Sequence, residues 1–574
     1  MEIGHPILCI ILTLLLQGGL ILQTITRRLK LLKQDRHGVS NVIVVVLSLV
    51  LVVIIVANVV IWSFQMSQLD WERSQEEIKI VDVDLTSSAE IQVTIKNTGL
   101  ALAHITALWI LDSVMHRRVG LNAYVEQGQI ITYTSDFRLD LGKSYLVKAV
   151  TEKGNMAAYS VRFIASNGAE IVYGESTISI TRYRTWNGIS WSAQENCAPT
   201  SPTVQWVVLK SCPARDEKIL GVLSSAGYLD VSVWNGQNKT WSEPLRMASL
   251  GATLPSYRPF DISYEQKTGM GIIVYNPTSS GTRPQFRVWN ASSWSQPQQV
   301  DITTAGVVYW IKLASKPNNN ELTMMTLDAN RGVYGAIWNG TAWSDGVVLD
   351  STASIATKEC IAVEYMQTEG RAMTTWGSGA LFYSRMWNGT GWETRSSSIN
   401  VGATCNWFSL KADPNSDGLV LVSVDSSSRL STMNWNGTSW MLDSLQDDSV
   451  ETNSGRCADA EFETAPGHEG HIVLVWGDLN IDPITYKHFN GTAWTTAAQI
   501  PTSVFPTTDQ RWTIMRRDLY GRVFLACVDD GYDINTGYWN GTYWIWTDEL
   551  ELTASSYTRQ CFDLSPDLYF RNVA

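Results

Sequence analysis

The run Asp413-x-Asn415-x-Asp417-Gly418 has the ligand types and spacing that open a calcium loop. Its twelfth position is Val424, where such a loop needs a bidentate Glu. The corresponding turn Lys316-Pro317-Asn318-Asn319-Asn320 does not repeat the ligands, so a tight strand turn is the expected role. Seven His are scattered along the chain, and none is read as part of a ligand-spaced pair. His104 stands without a companion at the start of a strand and reads as structural. No G-x-S-x-G, H-E-x-x-H or Walker pattern occurs. The acidic pairs Asp447-Asp448 and Asp529-Asp530 read as solvated loop charge. Eight Cys occur without any C-x-x-C, which leaves zinc and thioredoxin-type chemistry unsupported. The expectation is a non-enzyme with no catalytic, cofactor-binding or metal-binding residue. Two carboxylates from distant parts of the chain could still act on a glycoside, because such a pair meets only in space.

What does recur is the hexapeptide Trp338-Asn339-Gly340-Thr341-Ala342-Trp343. Close copies begin at Trp186, Trp234, Trp289, Trp387, Trp435, Phe489 and Trp539, and end at Trp191, Trp241, Trp294, Trp392, Trp440, Trp494 and Trp544. Asn-Gly between strand-like runs signals a hairpin, since both residues tolerate positive φ. The flanking Trp pair can pack across the two strands. These tryptophans read as scaffold, because a residue present in every copy is needed by the copy itself; sugar-stacking platforms are the alternative. Acceptor sequences for N-glycans fall in the same loops, at Asn290, Asn339, Asn388, Asn436, Asn490 and Asn540, and at Asn238 in the second copy. Turn geometry gives no reason for the displaced Asn238, which favours glycosylation of all seven.

The Asn positions of successive copies are 48, 55, 49, 49, 48, 54 and 50 residues apart, a period that means a repeat architecture. Four strand-like runs fill each interval, the unit of a β-propeller blade. One strand before the first hairpin (177–183) and three after the last (544–552, 560–565, 568–573) bring the total to eight blades of four. The closing blade would join two C-terminal strands to two N-terminal ones; seven blades are the alternative. Cys360, Cys405, Cys457 and Cys561 recur at the start of one strand type, too far apart across neighbouring sheets to pair, and read as buried thiols. Residues 78–165 show short period-two runs, five or six strands that suit a small antiparallel β-sandwich.

Two apolar runs open the chain, at 6–25 and 42–62, and the second is long enough to span a bilayer. Arg27, Arg28, Lys30, Lys33 and Arg36 lie between them and should stay cytoplasmic, which places everything after Trp62 outside the cell. The formal charge is −12, and with those basic residues set aside the body is more acidic still. Nucleic acid and anionic lipid surfaces are therefore unsuitable partners for it. The fold class expected is an all-β ectodomain, sandwich plus eight-bladed propeller, on an N-terminal transmembrane α-helix. Its parts are a leader (1–38), a membrane helix (39–77), a sandwich (78–165) and a propeller (166–574).

The junction Arg36-His37-Gly38-Val39-Ser40-Asn41-Val42, followed by its apolar run, resembles the class III signal of archaeal type IV pilin-like proteins. That resemblance implies cleavage between Gly38 and Val39, a helix that anchors the subunit or packs in a filament, and a β-sandwich behind it. His37 stands where the family has a basic residue, and the leader is longer than usual, so translation starting near Leu29 or Leu31 would fit better. The function expected is a cell-surface pilin-like protein, anchored through 42–62 or assembled with other pilin subunits, whose propeller recognises surface glycans or proteins. A tethered glycan-active enzyme and a structural coat or filament subunit are the alternatives.

Overall fold

The computed structural model describes residues 36–574 apart from 86–89, 113, 139–142, 178–179, 200–202, 354–355, 444, 452–454, 465–466, 480, 502–508 and 573–574. The leader up to Asp35, with its first apolar run, lies outside the described residues. A single helix, α1 (Arg36–Ser74), begins the rest. No Gly or Pro interrupts it between Val39 and Ser74, which removes the usual helix breakers. Its stretch Asn41–Ser74 contains a window of mean hydropathy 3.3, none of it buried.

The helix end is fastened to the strands behind it. Arg73 donates to the Gly154 carbonyl (3.2 Å), Asn155 Nδ2 donates back to the Arg73 carbonyl (2.8 Å), and Thr151 Oγ1 donates to the buried Glu76 carboxylate (2.8 Å). The Gln75 carbonyl accepts the N–H groups of Leu100 (2.8 Å) and Ala101 (3.1 Å), so carbonyls beyond the last turn are satisfied.

Two antiparallel sheets come next. One contains Ile78–Leu85, Glu90–Asn97 and Ile130–Arg138; the other contains His116–Val125, Ala103–Leu111, Ser144–Thr151 and Met156–Ala165. Alternating apolar residues from both, among them Ile80, Val93, Leu108, Val147 and Val161, share one core. The unexpected strand is His116–Val125, whose exposed Arg117 and Arg118 break the apolar alternation that sequence reading relies on.

Residues from Ala169 onward form eight further antiparallel sheets of four or five strands. Their inner strands are Val204–Ser211, Phe260–Tyr264, Val308–Ser315, Ile361–Tyr365, Cys405–Ala412, Ala458–Phe462, Gln510–Arg517 and Phe562–Pro566. Each inner strand packs on the next, and the last packs on the first, so the cycle closes as a β-propeller.

Closure differs from the sequence expectation. The closing sheet takes three N-terminal strands (Ala169–Gly174, Ile180–Trp186, Glu195–Pro199) and one C-terminal strand (Phe562–Pro566). The final strand, Phe570–Asn572, leaves the ring and pairs with Met156–Ala165 in the five-stranded sheet. Two chain segments therefore cross between the bodies side by side, bonded by Asp567 N–H to the Gly168 carbonyl (2.9 Å) and Ser166 N–H to the Tyr569 carbonyl (3.1 Å). Lys218, 1% exposed, bridges Glu170 and Asp567 beneath them. Ala169 pairs with Trp186, so the crossing occurs on the hairpin face of the ring.

No disulfide joins the described cysteines. The Cys457 thiol donates to the Glu451 carbonyl (3.1 Å) and the Cys561 thiol to the Ser556 carbonyl (2.9 Å). Burial pushes these thiols up to about 12 and about 11, which makes them poor nucleophiles.

Candidate functional site: the channel, the rim and a histidine cluster

The inner strands surround a cavity of about 220 Å³ on the ring axis. Away from the hairpins, Trp206, Trp310, Trp407 and Trp512 form a closed cycle of edge-on contacts. Successive centroids are 5.5, 6.1, 5.3 and 5.5 Å apart, and all four rings are buried. This is the edge-to-face arrangement that the ring quadrupoles favour. Trp206 and Trp310 donate their indole N–H to the carbonyls of Pro255 and Ala356 (both 2.8 Å). Beyond this plug, Tyr257 and Tyr309 stack at 3.8 Å, half-buried, on the face opposite the hairpins.

Toward the hairpins the channel is charged. Arg258 and Lys312 meet Glu359 at 2.5 and 3.2 Å, Lys411 meets Glu461 (3.1 Å) and Asp459 (3.6 Å), and Arg516 meets Asp563 (3.3 Å). For Glu359 and Asp459 burial opposes ionisation, but the surrounding cations outweigh it and hold both carboxyls down to about 2. Glu364 differs. Burial raises it to about 7 against the attraction of Lys210 and Lys411, while burial lowers Lys312 to about 8. The layer is an ion-pair network welding neighbouring inner strands, and the Glu364 carboxyl, pushed up by burial, lines the cavity among them.

The repeat tryptophans lie between sheets. Each hairpin brings its aromatic pair together: Trp338 and Trp343 are partners in the ladder, with centroids 5.8 Å apart, and Phe489 and Trp494 stand at 5.3 Å. The same holds for Trp186–Trp191, Trp234–Trp241, Trp289–Trp294, Trp387–Trp392, Trp435–Trp440 and Trp539–Trp544, at 5.4–5.7 Å. Several indoles reach the preceding sheet. Trp338 donates to Glu265 (2.7 Å), Trp387 to Glu321 (3.2 Å), Trp494 to Asp443 (3.1 Å) and Trp539 to Glu463 (2.9 Å). Trp186, Trp191, Trp234, Trp338, Trp343, Trp387, Trp435, Trp539 and Trp544 are buried, whereas Trp241, Trp289, Trp294, Trp392, Trp440 and Trp494 keep partial exposure.

The hairpin loop is four residues long rather than two. Asn339 N–H bonds the Ala342 carbonyl (3.1 Å), and Asn339 Oδ1 accepts the N–H groups of Thr341 and Ala342 and the Thr341 hydroxyl (2.8–3.0 Å). Only Gly340, at φ +95°, takes the left-handed conformation; the Asn serves as an acceptor cap. Asn388, Asn436, Asn490 and Asn540 repeat this geometry, and Ala291 supplies the positive φ (+71°) beside Asn290. Asn238 lies in the second loop and donates its N–H to Asn235 Oδ1 (3.2 Å). Six of the seven acceptor Asn are exposed and Asn540 is half-buried.

The calcium-like run folds as a turn whose carboxylates are engaged. Asp413 accepts from Asn415 N–H and Ser416 Oγ, and Asp417 accepts from Thr368 and Glu369 N–H in the preceding sheet (2.6–3.0 Å). His104 bonds Glu152 (2.9 Å) and Asn122 (2.8 Å) at the five-stranded sheet that follows α1.

Sequence reading missed a side-chain cluster. His468 and His471 are three residues apart, and their turn brings them against His488 and Glu463, with one donor atom of each residue within 4.8 Å of the others. The short His-x-x-His spacing was the available signal, and it corrects the expectation that no His pair is ligand-spaced. His488 comes from the next strand but one, which spacing alone does not reveal.

No protein-family model and no curated protein matches the chain. Among solved structures, the BP39L lectin of Burkholderia pseudomallei matches at 11% identity, TM-score 0.43, over 61% of this chain and 100% of its own. The six-bladed, fucose-recognising lectin of Aleuria aurantia matches at 12% identity and TM-score 0.31, over 52% and 97%. The archaellum stator protein FlaG of Sulfolobus acidocaldarius matches at 16% identity and TM-score 0.14, over 15% and 98%. Likeness this distant does not bear on what this chain binds.

Proposed function

We propose that the chain is a membrane-anchored cell-surface protein whose eight-bladed propeller, carried on a β-sandwich, recognises glycans or proteins. The observation that supports it is α1, whose apolar side chains are bare in one continuous run, whereas exposed apolar side chains elsewhere are scattered. Residues 42–62 suffice for a bilayer core of about 30 Å. The remaining turns to Ser74 add a stalk of about 18 Å at 1.5 Å per residue, ending in the polar staple to the sandwich. With the sandwich on the hairpin face, the opposite face points away from the membrane and offers the Tyr257–Tyr309 stack to ligands. N-glycans on the seven loop Asn would then shield the membrane-side rim.

The Gly38–Val39 bond is the proposed processing site in the first turn of α1, and packing of the same helix in a pilin-like filament is the alternative to lipid. A glycan-active enzyme is the second reading, favoured by the Glu364 carboxyl in the channel, which burial raises to about 7. Protease added to intact cells should remove the head and leave a membrane-held stub. N-terminal sequencing of native protein should begin at Val39, and glycopeptides should cover the loop Asn. A head that protease reaches only after lysis contradicts the reading. Loss of a glycan-cleaving activity in Glu364→Gln would favour the enzyme instead.

A further inference from the structure

The sheet built on Phe260–Tyr264 and the one built on Ala458–Phe462 share one device. In each, a Glu directly follows the inner strand and accepts the indole N–H of the next sheet's hairpin Trp: Glu265 from Trp338 (2.7 Å), Glu463 from Trp539 (2.9 Å). In each, its own N–H bonds the residue preceding the second strand, Met270 or His471 (2.9 and 3.0 Å). The ladders align Gly271 with Ile472 and Trp289 with Phe489, so Val288 corresponds to His488. Around Glu265 the equivalent positions are Met and Val; around Glu463 they are both His. A longer turn, with Gly467 and Gly470 at φ +84° and +75°, adds a third, His468. The inter-sheet contact needs only the carboxylate and the indole, so the three imidazoles call for a separate reason.

Their geometry supplies one. His468 Nδ1 touches one oxygen of Glu463, His488 Nε2 lies 2.7 Å from the other, and the carboxylate is fully buried. His471 faces both rings, at 4.9 and 5.1 Å between centroids, and its Nδ1 is shut off from solvent without a hydrogen-bond partner. His468 and His488 retain partial exposure, which leaves a route in. We propose that Glu463, His468, His471 and His488 bind one divalent transition-metal ion, with zinc the best fit. An N3O donor set of imidazoles and one carboxylate suits a four-coordinate zinc and is foreign to calcium or magnesium. Tetrahedral zinc with bonds of 2.0–2.1 Å places its ligands about 3.3 Å apart, which small side-chain rotations reach from the present spacing. Trp539 N–H then orients the carboxylate from outside the coordination sphere. The ion would pin the His468–His471 turn to the outer strands and to the next sheet.

The test uses the untagged full-length chain in detergent, stripped with a chelator and titrated with Zn²⁺ alone, with metal content read by elemental analysis. One zinc per chain is expected. His471→Met and His488→Val, which install the residues of the equivalent sheet, should each weaken binding by more than the tenfold to hundredfold that loss of an outer-sphere contact costs. Melting in chelator checks that the variants fold. Should either fail to fold, His468→Ala, altered at a side chain 30% exposed, gives the same reading. A stripped parent that takes up no zinc overturns the proposal, as does a folded variant that binds it as tightly as the parent.

Discussion

Helix α1 and the ring of sheets handle apolar surface in opposite ways. In the ring, most aromatic residues pack into contacts between neighbours, and the last inner strand returns to the first, so the cycle of inner strands is unbroken. In α1, Val45, Leu49, Val53 and Trp62 are all more than half exposed. The ring is complete as a folded object, whereas the helix is complete only with another phase or another helix around it. The staple between Arg73, Glu76 and Asn155 transmits that requirement to the whole head.

If the ring depends on closure, opening it should have the largest effect. Deleting residues 560–574 removes one ladder strand from the closing sheet and one from the sheet of Met156–Ala165, and exposes the apolar faces of both. The expected outcome is loss of cooperative folding, read by circular dichroism and melting. A truncated chain that melts like the parent would break the contrast on the side of the ring.

The crossing between ring and sandwich should be the next most sensitive point. Lys218→Ala leaves the buried Glu170 and Asp567 carboxylates without their cation and should cost about 3–5 kcal/mol in denaturant titration. A change below about 1 kcal/mol would mean that the buried lysine is not balancing charge there.

Acid sharpens the contrast, because α1 carries no titratable side chain between Ser40 and Asp70 while the head has several that are shifted. Burial raises Glu170 and Glu364 to about 7. A carboxyl whose folded value lies above its unfolded one contributes stability that is full below the unfolded value and is lost as pH rises through the folded one. The head should therefore melt higher at pH 5 than at pH 7.5, by up to about 1.4 kcal/mol per pH unit for each such proton. Glu364→Gln should remove part of that slope. Below about pH 4 the trend should reverse, as Glu359 and Asp459, held at about 2, give up ion-paired charge.

The smallest effect is expected at the loops. Thr341→Ala removes a hydroxyl that bonds Asn339 Oδ1 on the surface and should shift unfolding by no more than about 0.5 kcal/mol. A larger loss would mean that the threonine serves the fold as well as the acceptor sequence.

Much of the ring was legible because its repeat is local. Trp-Asn-Gly marks six of the eight hairpins, Trp289-Asn290-Ala291 and Phe489-Asn490-Gly491 are close variants, and the regular interval counts the strands between them. What escaped depends on contacts between distant segments. Ala169–Gly174 is short, follows directly on the sandwich, and becomes a strand only by pairing with Phe562–Pro566 almost 400 residues later. The destination of Phe570–Asn572 is set by backbone pairing with the sandwich rather than by its own pattern. His104 and the Asp413 turn could be weighed from their neighbours alone. The histidine cluster could not, since His488 reaches it through ladder register, and the paired cations and carboxylates of the channel lie 47 to 101 residues apart in the chain.

The difference between helix and ring is tested most directly by flotation on a density gradient with lipid vesicles, comparing the full chain with residues 75–574. The full chain should rise with the vesicles, and the fragment should stay at the bottom as a folded, monodisperse protein. A full chain that remains below with the fragment would contradict the assignment of α1 to the bilayer.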